Sequence, residues 1–282
     1  MDGVARTDEE RRGQDRRTSD RRQADRRSAD RRTGPRREGD AASPAFQQER
    51  EDLAAAFRWT ARLNMHEGIA NHFSLAVSDD GADFLLNPFG VHFSKMRASD
   101  LMLVNAHATP DPADDRLDPT AIAIHGALHR NVPQARCIIH LHPKYATVLA
   151  SLKDSSIPPI DQNTMRFYER VAIDEDFDGM GLGDEAERLS TTLGNKQVLM
   201  MGNHGVMVVA ETVARALDEM IYLERACETV VTAYMTGREL RVAPHAVAAK
   251  TAQQWADYPG FSDKHLGAIR AILDEEEPGY RE

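Results

Sequence analysis

The sequence holds only two cysteines, Cys137 and Cys227, among 282 residues. A secreted disulfide framework needs more cysteines than this, so we expect a reducing, cytoplasmic location in which both thiols are buried. No apolar run approaches the roughly 18 to 20 residues of a membrane helix, and the N-terminus lacks the apolar stretch of a secretory signal. Aromatic residues make up only 6% of the chain, so the core must consist mainly of aliphatic side chains.

The charge of the chain is unevenly distributed. The net charge is −10 at pH 7, but residues 1–40 contain 13 arginines and 10 acidic residues, which leaves the rest of the chain strongly acidic. An acidic main part argues against nucleic acid as a partner. The first forty residues repeat a five-residue unit, as in Asp15-Arg16-Arg17 and Asp20-Arg21-Arg22, with almost no apolar residue between the units. Such a segment cannot bury a core, so we expect residues 1–43 to form a disordered tail, with a weak polyanion or partner site as the alternative.

Hydrophobic periodicity predicts a mixture of helices and short strands from residue 44 onwards. Helical periods occur at 45–66, 120–131, 143–152, 184–193 and 212–236. Strand patterns occur at 73–77, 84–86, 101–104, 137–141, 198–201 and 206–209. This order favours an α/β domain over residues 44–240, with a mostly antiparallel sheet covered by helices. We expect residues 241–282 to form a helical extension that packs on the domain or on a neighbouring subunit.

Two histidines alternate along the apolar segment Cys137-Ile138-Ile139-His140-Leu141-His142-Pro143. On a strand, His140 and His142 share one face and lie about 6.6 Å apart, from where two imidazoles can converge on one metal. Pro143 cannot continue the hydrogen-bond ladder, so it places the pair at the rim of the sheet. The alternative is a pair of partly buried polar side chains without a metal.

A third histidine, His204, lies in the turn Gly202-Asn203-His204-Gly205 between two apolar strands. Glycine permits the sharp bend and leaves room for the ring. Three histidines at strand ends match a three-ligand catalytic metal site with an open position. An ordinary turn histidine is the alternative for His204 taken alone.

Four further histidines give weaker signals. His125 and His129 share one face of a predicted helix, but no glutamate follows His125 as a zinc-protease motif requires, so we interpret them as packing or supporting residues. His72 and His92 lie beside predicted turns, where each could line a pocket or simply face solvent.

The order of the motifs resembles the class II aldolase/adducin family, in particular its adducin-like bacterial branch, over roughly residues 50–240. The motifs are Gly68-Ile69-Ala70-Asn71-His72-Phe73-Ser74, Asn87-Pro88-Phe89-Gly90, Ile139-His140-Leu141-His142, Gly202-Asn203-His204-Gly205-Val206 and Tyr222-Leu223-Glu224-Arg225-Ala226. The resemblance implies an αβα three-layer sandwich around a mainly antiparallel sheet. It also implies a homotetramer with sites at subunit interfaces.

The resemblance implies one divalent metal, Zn²⁺ in preference to Mn²⁺ or Fe²⁺. The zinc ligands of the family's sugar-phosphate aldolases match His140, His142 and His204. Substrate contacts are implied at Asn71, Asn87, Gly90 and Gln162. Of these, Gln162 stands where the aldolases have a catalytic tyrosine.

Three departures from the aldolases point away from a sugar phosphate. Ala121 stands at the place of the catalytic acid, and Pro119 and Thr120 stand near the places of two phosphate-binding serines. Phe89 replaces the hydroxyl residue of a phosphate-binding turn. We therefore expect a small, unphosphorylated substrate.

A retained metal triad beside a lost acid favours a lyase of the decarboxylase or aldolase type that acts on a small oxo- or hydroxy-acid. Decarboxylation needs an electron sink but no base to start it, whereas retro-aldol cleavage needs a base for the hydroxyl proton. His72, Asp118 and Tyr168 are the candidate proton donors. A non-catalytic, adducin-head-like scaffold is the main alternative, and epimerase or oxygenase chemistry on the same site is a further one.

Overall fold

The computed structural model describes residues 45–107, 114–177, 179 and 184–282. The chain divides into two units, Met1–Ser43 and Pro44–Glu282. The predicted disordered tail lies outside the described residues. None of the helices in the described part is both long enough and apolar enough to cross a membrane.

Within the described residues, seven strands form one sheet in the order β3-β2-β1-β4-β7-β6-β5. They are β1 His72–Ala76, β2 Asp83–Leu86, β3 Met102–Asn105, β4 Cys137–Leu141, β5 Val171–Asp174, β6 Val198–Met201 and β7 Gly205–Ala210. Neighbouring strands pair antiparallel from β3 to β6, whereas β5 pairs parallel with β6. The sheet is therefore mixed, which corrects the expectation of a mainly antiparallel sheet. The reason is a helix between β5 and β6, because such a crossover returns the chain to the same end of the sheet.

Eight α-helices of the described part surround the sheet. They are α1 Gln47–Arg62, α2 Pro119–Asn131, α3 Lys144–Ala150, α4 Gln162–Arg166, α5 Glu185–Leu193, α6 Val213–Met235, α7 His245–Ala256 and α8 Phe261–Glu276. Short 3-10 helices occupy Phe93–Lys95, Ala98–Asp100 and Pro278–Arg281.

Helices cover both faces of the sheet because successive strand residues point to opposite sides. Ile139 of β4 belongs to the core beneath α1 and α6. Its neighbour Ile138 belongs to the core beneath α2 and α5 on the other face. From α8, Leu266, Ile269 and Leu273 join the first of these cores, so this C-terminal helix packs on the domain.

A buried arginine joins three helices on the first face. Arg166 is 1% exposed, and its guanidinium donates to Asp218 at 2.5 Å and to Glu219 at 3.0 Å. The same group lies 4.6 Å from the ring centroid of Tyr222 and 5.0 Å from that of Trp255. A buried charge is tolerated only when it is paired in this way, so the contacts hold α4, α6 and α7 in one arrangement.

Replacing Arg166 with methionine should lower the free energy of unfolding by about 3 to 5 kcal/mol, because buried carboxylates lose a cation. The control is Arg225→Met, which removes an ion pair with Glu228 on the surface of α6 and should cost less than about 1 kcal/mol. Urea unfolding at one protein concentration measures both values. Equal losses in the two variants would contradict this view of the network.

Candidate metal centre

Three histidines converge at one end of the sheet. His140 lies in β4, His142 follows this strand, and His204 lies in the turn between β6 and β7. Because β7 pairs antiparallel with β4, this turn lies beside the end of β4. The ring centroids are 4.9 Å apart for His140 and His142, 4.9 Å for His140 and His204, and 4.8 Å for His142 and His204. One nitrogen from each ring lies within 4.8 Å of the others, so all three rings could bind one metal ion.

Hydrogen bonds orient two of these rings. Nδ1 of His140 donates to the carbonyl oxygen of Val206 at 3.0 Å, and Nδ1 of His142 donates to Glu67 at 2.5 Å. A neutral imidazole with its proton on Nδ1 has a lone pair on Nε2. The two Nε2 atoms lie 3.1 Å apart, close to the separation of about 3.3 Å expected for two ligands of a tetrahedral zinc ion. The donor set therefore fits one divalent cation.

Burial favours the neutral form of the ligands. Desolvation lowers the pKa of His140 far below its usual range, and the neighbouring imidazoles lower it further. Desolvation also lowers the pKa of His204, with an added contribution from His142. Rings that bind protons weakly keep their lone pairs free for a cation at neutral pH.

Gly205 makes room for the ring of His142. A β-carbon at position 205 would lie 2.8 Å from the carbonyl oxygen of Leu141 and closer still to the His142 ring. Asn203, two residues before Gly205, adopts a left-handed conformation with φ of 58°, which completes the tight turn. Any side chain at position 205 would therefore push His142 away from the site.

His72 lies directly beside the triad. It pairs with His140 across β1 and β4, and the two ring centroids are 4.9 Å apart. Burial lowers the pKa of His72 to about 4, although the charge of Asp118 acts in the opposite direction. Asp118 caps α2 by accepting from the backbone N–H of Thr120 at 2.9 Å and from its hydroxyl at 2.6 Å. Two of the candidate proton donors thus lie within electrostatic reach of each other.

Apolar side chains surround Ala121, the residue that the resemblance aligns with the catalytic acid of the aldolases. Ala121 is buried in a cluster with Phe84, Leu86 and Val104. A carboxylate that does contact a triad residue is Glu67, whose side chain is 66% exposed. Sequence reasoning missed Glu67, because it is separated from His142 by 75 residues and belongs to no periodic segment.

The two predicted asparagines are buried near the start of β1. Oδ1 of Asn71 accepts from the backbone N–H of Glu67 at 2.7 Å, whereas its Nδ2 is buried without a partner in the described part of the chain. Oδ1 of Asn87 accepts from the backbone N–H of Phe73 at 3.0 Å. Gly90 adopts a φ of 86° in the loop that follows. Asn71 therefore retains an unused hydrogen-bond donor.

Other predicted residues lie apart from the triad in this chain. Tyr168 precedes β5 at the end of the sheet where β6 begins, and its hydroxyl contacts Nδ1 of His245 at 2.9 Å. Gln162 begins α4 and lines a cavity with Trp255. His92 is exposed, and its Nε2 lies 3.1 Å from that of His66.

Comparisons with known proteins agree with the fold. The sequence profile described as "Class II Aldolase and Adducin N-terminal domain" matches residues 51–231. The "Putative aldolase class 2 protein" of Caulobacter vibrioides is 32% identical, and the alignment covers 84% of this chain and 93% of that protein. "Decarboxylase NovR" of Streptomyces niveus is 28% identical, with 71% of this chain and 75% of that protein covered.

Solved structures give the same result. An aldolase II superfamily protein from Pseudomonas syringae has a TM-score of 0.77 and 31% identity, with 86% of this chain and 98% of that one covered. The L-fuculose 1-phosphate aldolase from Glaciozyma antarctica PI12 has a TM-score of 0.71 and 26% identity, with coverages of 84% and 92%. The resemblance inferred from the motifs is confirmed, and the chain belongs to the class II aldolase and adducin family.

Proposed function

We propose that this chain is a metal-dependent lyase that cleaves a carbon–carbon bond in a small oxo- or hydroxy-acid. The convergence of His140, His142 and His204 is the observation that carries the proposal. A closed structural zinc site has four protein ligands, whereas three leave a position for a substrate. The scaffold alternative does not require this arrangement of lone pairs.

The triad would hold the cation through Nε2 of His140 and His142 and through one ring nitrogen of His204. A bound divalent cation, with zinc preferred to manganese or iron, would supply a Lewis acid beside the substrate. Glu67 and the carbonyl of Val206 would keep two ligand rings in the required tautomer and orientation.

The surroundings of the triad support an unphosphorylated acid as the substrate. The side chains of Pro119 and Phe89 offer no group that could hold a phosphate, and the hydroxyl of Thr120 donates to Asp118. The similarity to a protein named as a decarboxylase supports the same class of reaction.

Carbon–carbon cleavage also requires a proton for the new carbanion. His72 and Asp118 are the candidates beside the triad. We retain Tyr168 as a candidate for a site shared with a neighbouring subunit, in the homotetramer that the family resemblance implies.

Metal analysis tests the site itself. Protein produced with added zinc should contain about one zinc per chain, and His142→Ala should lose it. Gly205→Ala should raise the Kd for zinc about 10- to 100-fold, because the new methyl group displaces the His142 ring. Gly267→Ala is the control, since a methyl group at that helical position meets nothing within 4 Å. Zinc-free wild-type protein, or equal affinities in the two glycine variants, would exclude this metal site.

Activity is tested with a panel of unphosphorylated 2-oxo and 2-hydroxy acids. We expect at least one acid to raise the unfolding temperature of the zinc-loaded protein and to release carbon dioxide or a carbonyl product. His142→Ala should lower that turnover by about a hundredfold or more. A protein that binds zinc but neither binds nor converts any acid would instead support the scaffold alternative.

A further inference from the structure

A chain of buried polar groups leads from His72 to the interior, away from the triad. Nδ1 of His72 lies 2.6 Å from Nε2 of His125, and Nδ1 of His125 contacts the hydroxyl of Ser74. The Ser74 hydroxyl also lies 2.7 Å from Nε2 of His129, whose Nδ1 lies 2.7 Å from the carbonyl oxygen of Ala135. We call His72, His125, Ser74 and His129 the histidine chain.

The three rings of the histidine chain are buried, which favours the neutral imidazole. Burial lowers the pKa of His125 far below its usual range and that of His129 to about 4. No carboxylate takes part in any of the four hydrogen bonds. Each ring therefore has one N–H donor and one lone-pair acceptor.

The carbonyl of Ala135 sets the direction of every hydrogen bond in the chain. A carbonyl oxygen only accepts, so Nδ1 of His129 carries the proton and its Nε2 is an acceptor. The Ser74 hydroxyl must then donate to His129 and accept from Nδ1–H of His125. Nε2 of His125 is consequently an acceptor, and Nδ1 of His72 carries the proton.

These hydrogen-bond directions leave Nε2 of His72 unprotonated, so the atom carries a free lone pair. The atom has no hydrogen-bond partner among the described residues, and it retains some solvent-accessible surface. The two nitrogens of an imidazole point in different directions, so Nε2 faces away from His125. The centroid of this ring lies 4.9 Å from that of His140, so the lone pair belongs to a ring beside the triad.

We propose that the histidine chain holds His72 in the tautomer with its proton on Nδ1, so that Nε2 accepts a hydrogen bond from a substrate hydroxyl. The tautomer depends on hydrogen bonds alone, whereas the substrate contact rests on the proposed function. Within that function, the acceptor selects a hydroxy-acid over the corresponding oxo-acid. In the resting protein His72 is then an acceptor, and it can give a proton to the carbanion only after it has taken that proton from the substrate hydroxyl. His125, Ser74 and His129 are positioning residues.

The wild-type protein alone tests the tautomer. Long-range proton–nitrogen NMR on the metal-free, full-length protein with ¹⁵N-labelled histidine distinguishes the two ring nitrogens, and His72→Gln identifies the signals. We expect the His72 proton on Nδ1 at neutral pH. A His72 ring that carries its proton on Nε2 would overturn the proposal without any variant of the chain.

Two substitutions at His129 test whether this residue determines the tautomer of His72. His129→Gln keeps an oxygen that can accept from Ser74, whereas His129→Phe removes the acceptor at similar size. We expect the Phe variant to add a population of His72 protonated on Nε2, because Ser74 can then donate to His125 instead. The Gln variant should retain one tautomer. Ser74→Ala breaks the same link with a smaller change and serves if the Phe variant does not fold. If the His72 tautomer does not change when the hydrogen bond between Ser74 and His129 is removed, the histidine chain does not determine it.

The substrate contact is tested with lactate and pyruvate, which differ in having a hydroxyl or a carbonyl at carbon 2. Calorimetry on the zinc-loaded protein gives both Kd values. The preference for lactate should fall about tenfold in His72→Phe, with the zinc content unchanged, because one hydrogen bond is lost. An unchanged preference overturns the substrate contact. Binding of neither acid removes that contact together with the proposed function, whereas the NMR result on the tautomer stands independently.

Discussion

The antiparallel pairing of β4 with β7 is the constraint on which the candidate site depends. It places the β6–β7 turn beside the end of β4, so that His204 meets a pair of histidines more than sixty residues earlier in the chain. The register matters as much as the pairing, because a slip of one residue would turn His140 to the opposite face of the sheet. Gly205 then allows the turn to approach His142 closely.

Polar groups are buried in this protein by two different means. Arg166 remains charged because two carboxylates and two aromatic rings surround its guanidinium. The buried imidazoles behind His72 are instead held by hydrogen bonds, and in each ring one nitrogen donates and the other accepts. The first arrangement connects helices and stabilises the fold. The second determines which atom a side chain presents to the triad.

The same sheet supports enzymes and adducin domains, so the fold alone does not identify a reaction. In this chain three histidines converge so that they could hold a metal ion, while Ala121 lies in an apolar cluster. Glu67 contacts His142 from an exposed position, where it orients a ligand ring. This combination is the reason to connect the protein with metal-dependent cleavage of an unphosphorylated acid.

Local patterns in the sequence determined the long elements and the identity of the converging histidines. The prediction of 137–141 as a strand matches β4, and that of 120–131 nearly matches α2. Hydrophobic alternation and turn glycines are local signals, so they can be identified from the sequence without a structure. The short strand β5 was missed, because its partly exposed residues alternate weakly, and its parallel pairing made the sheet mixed.

Tertiary structure alone decided the contacts that surround the triad. Glu67 with His142, and Ser74 with His129, join residues 75 and 55 positions apart. The tautomer of His72 likewise follows from the carbonyl of Ala135, in the loop between α2 and β4. Hydrogen-bond direction depends on which donors and acceptors meet in space, and sequence periodicity contains no information about those meetings.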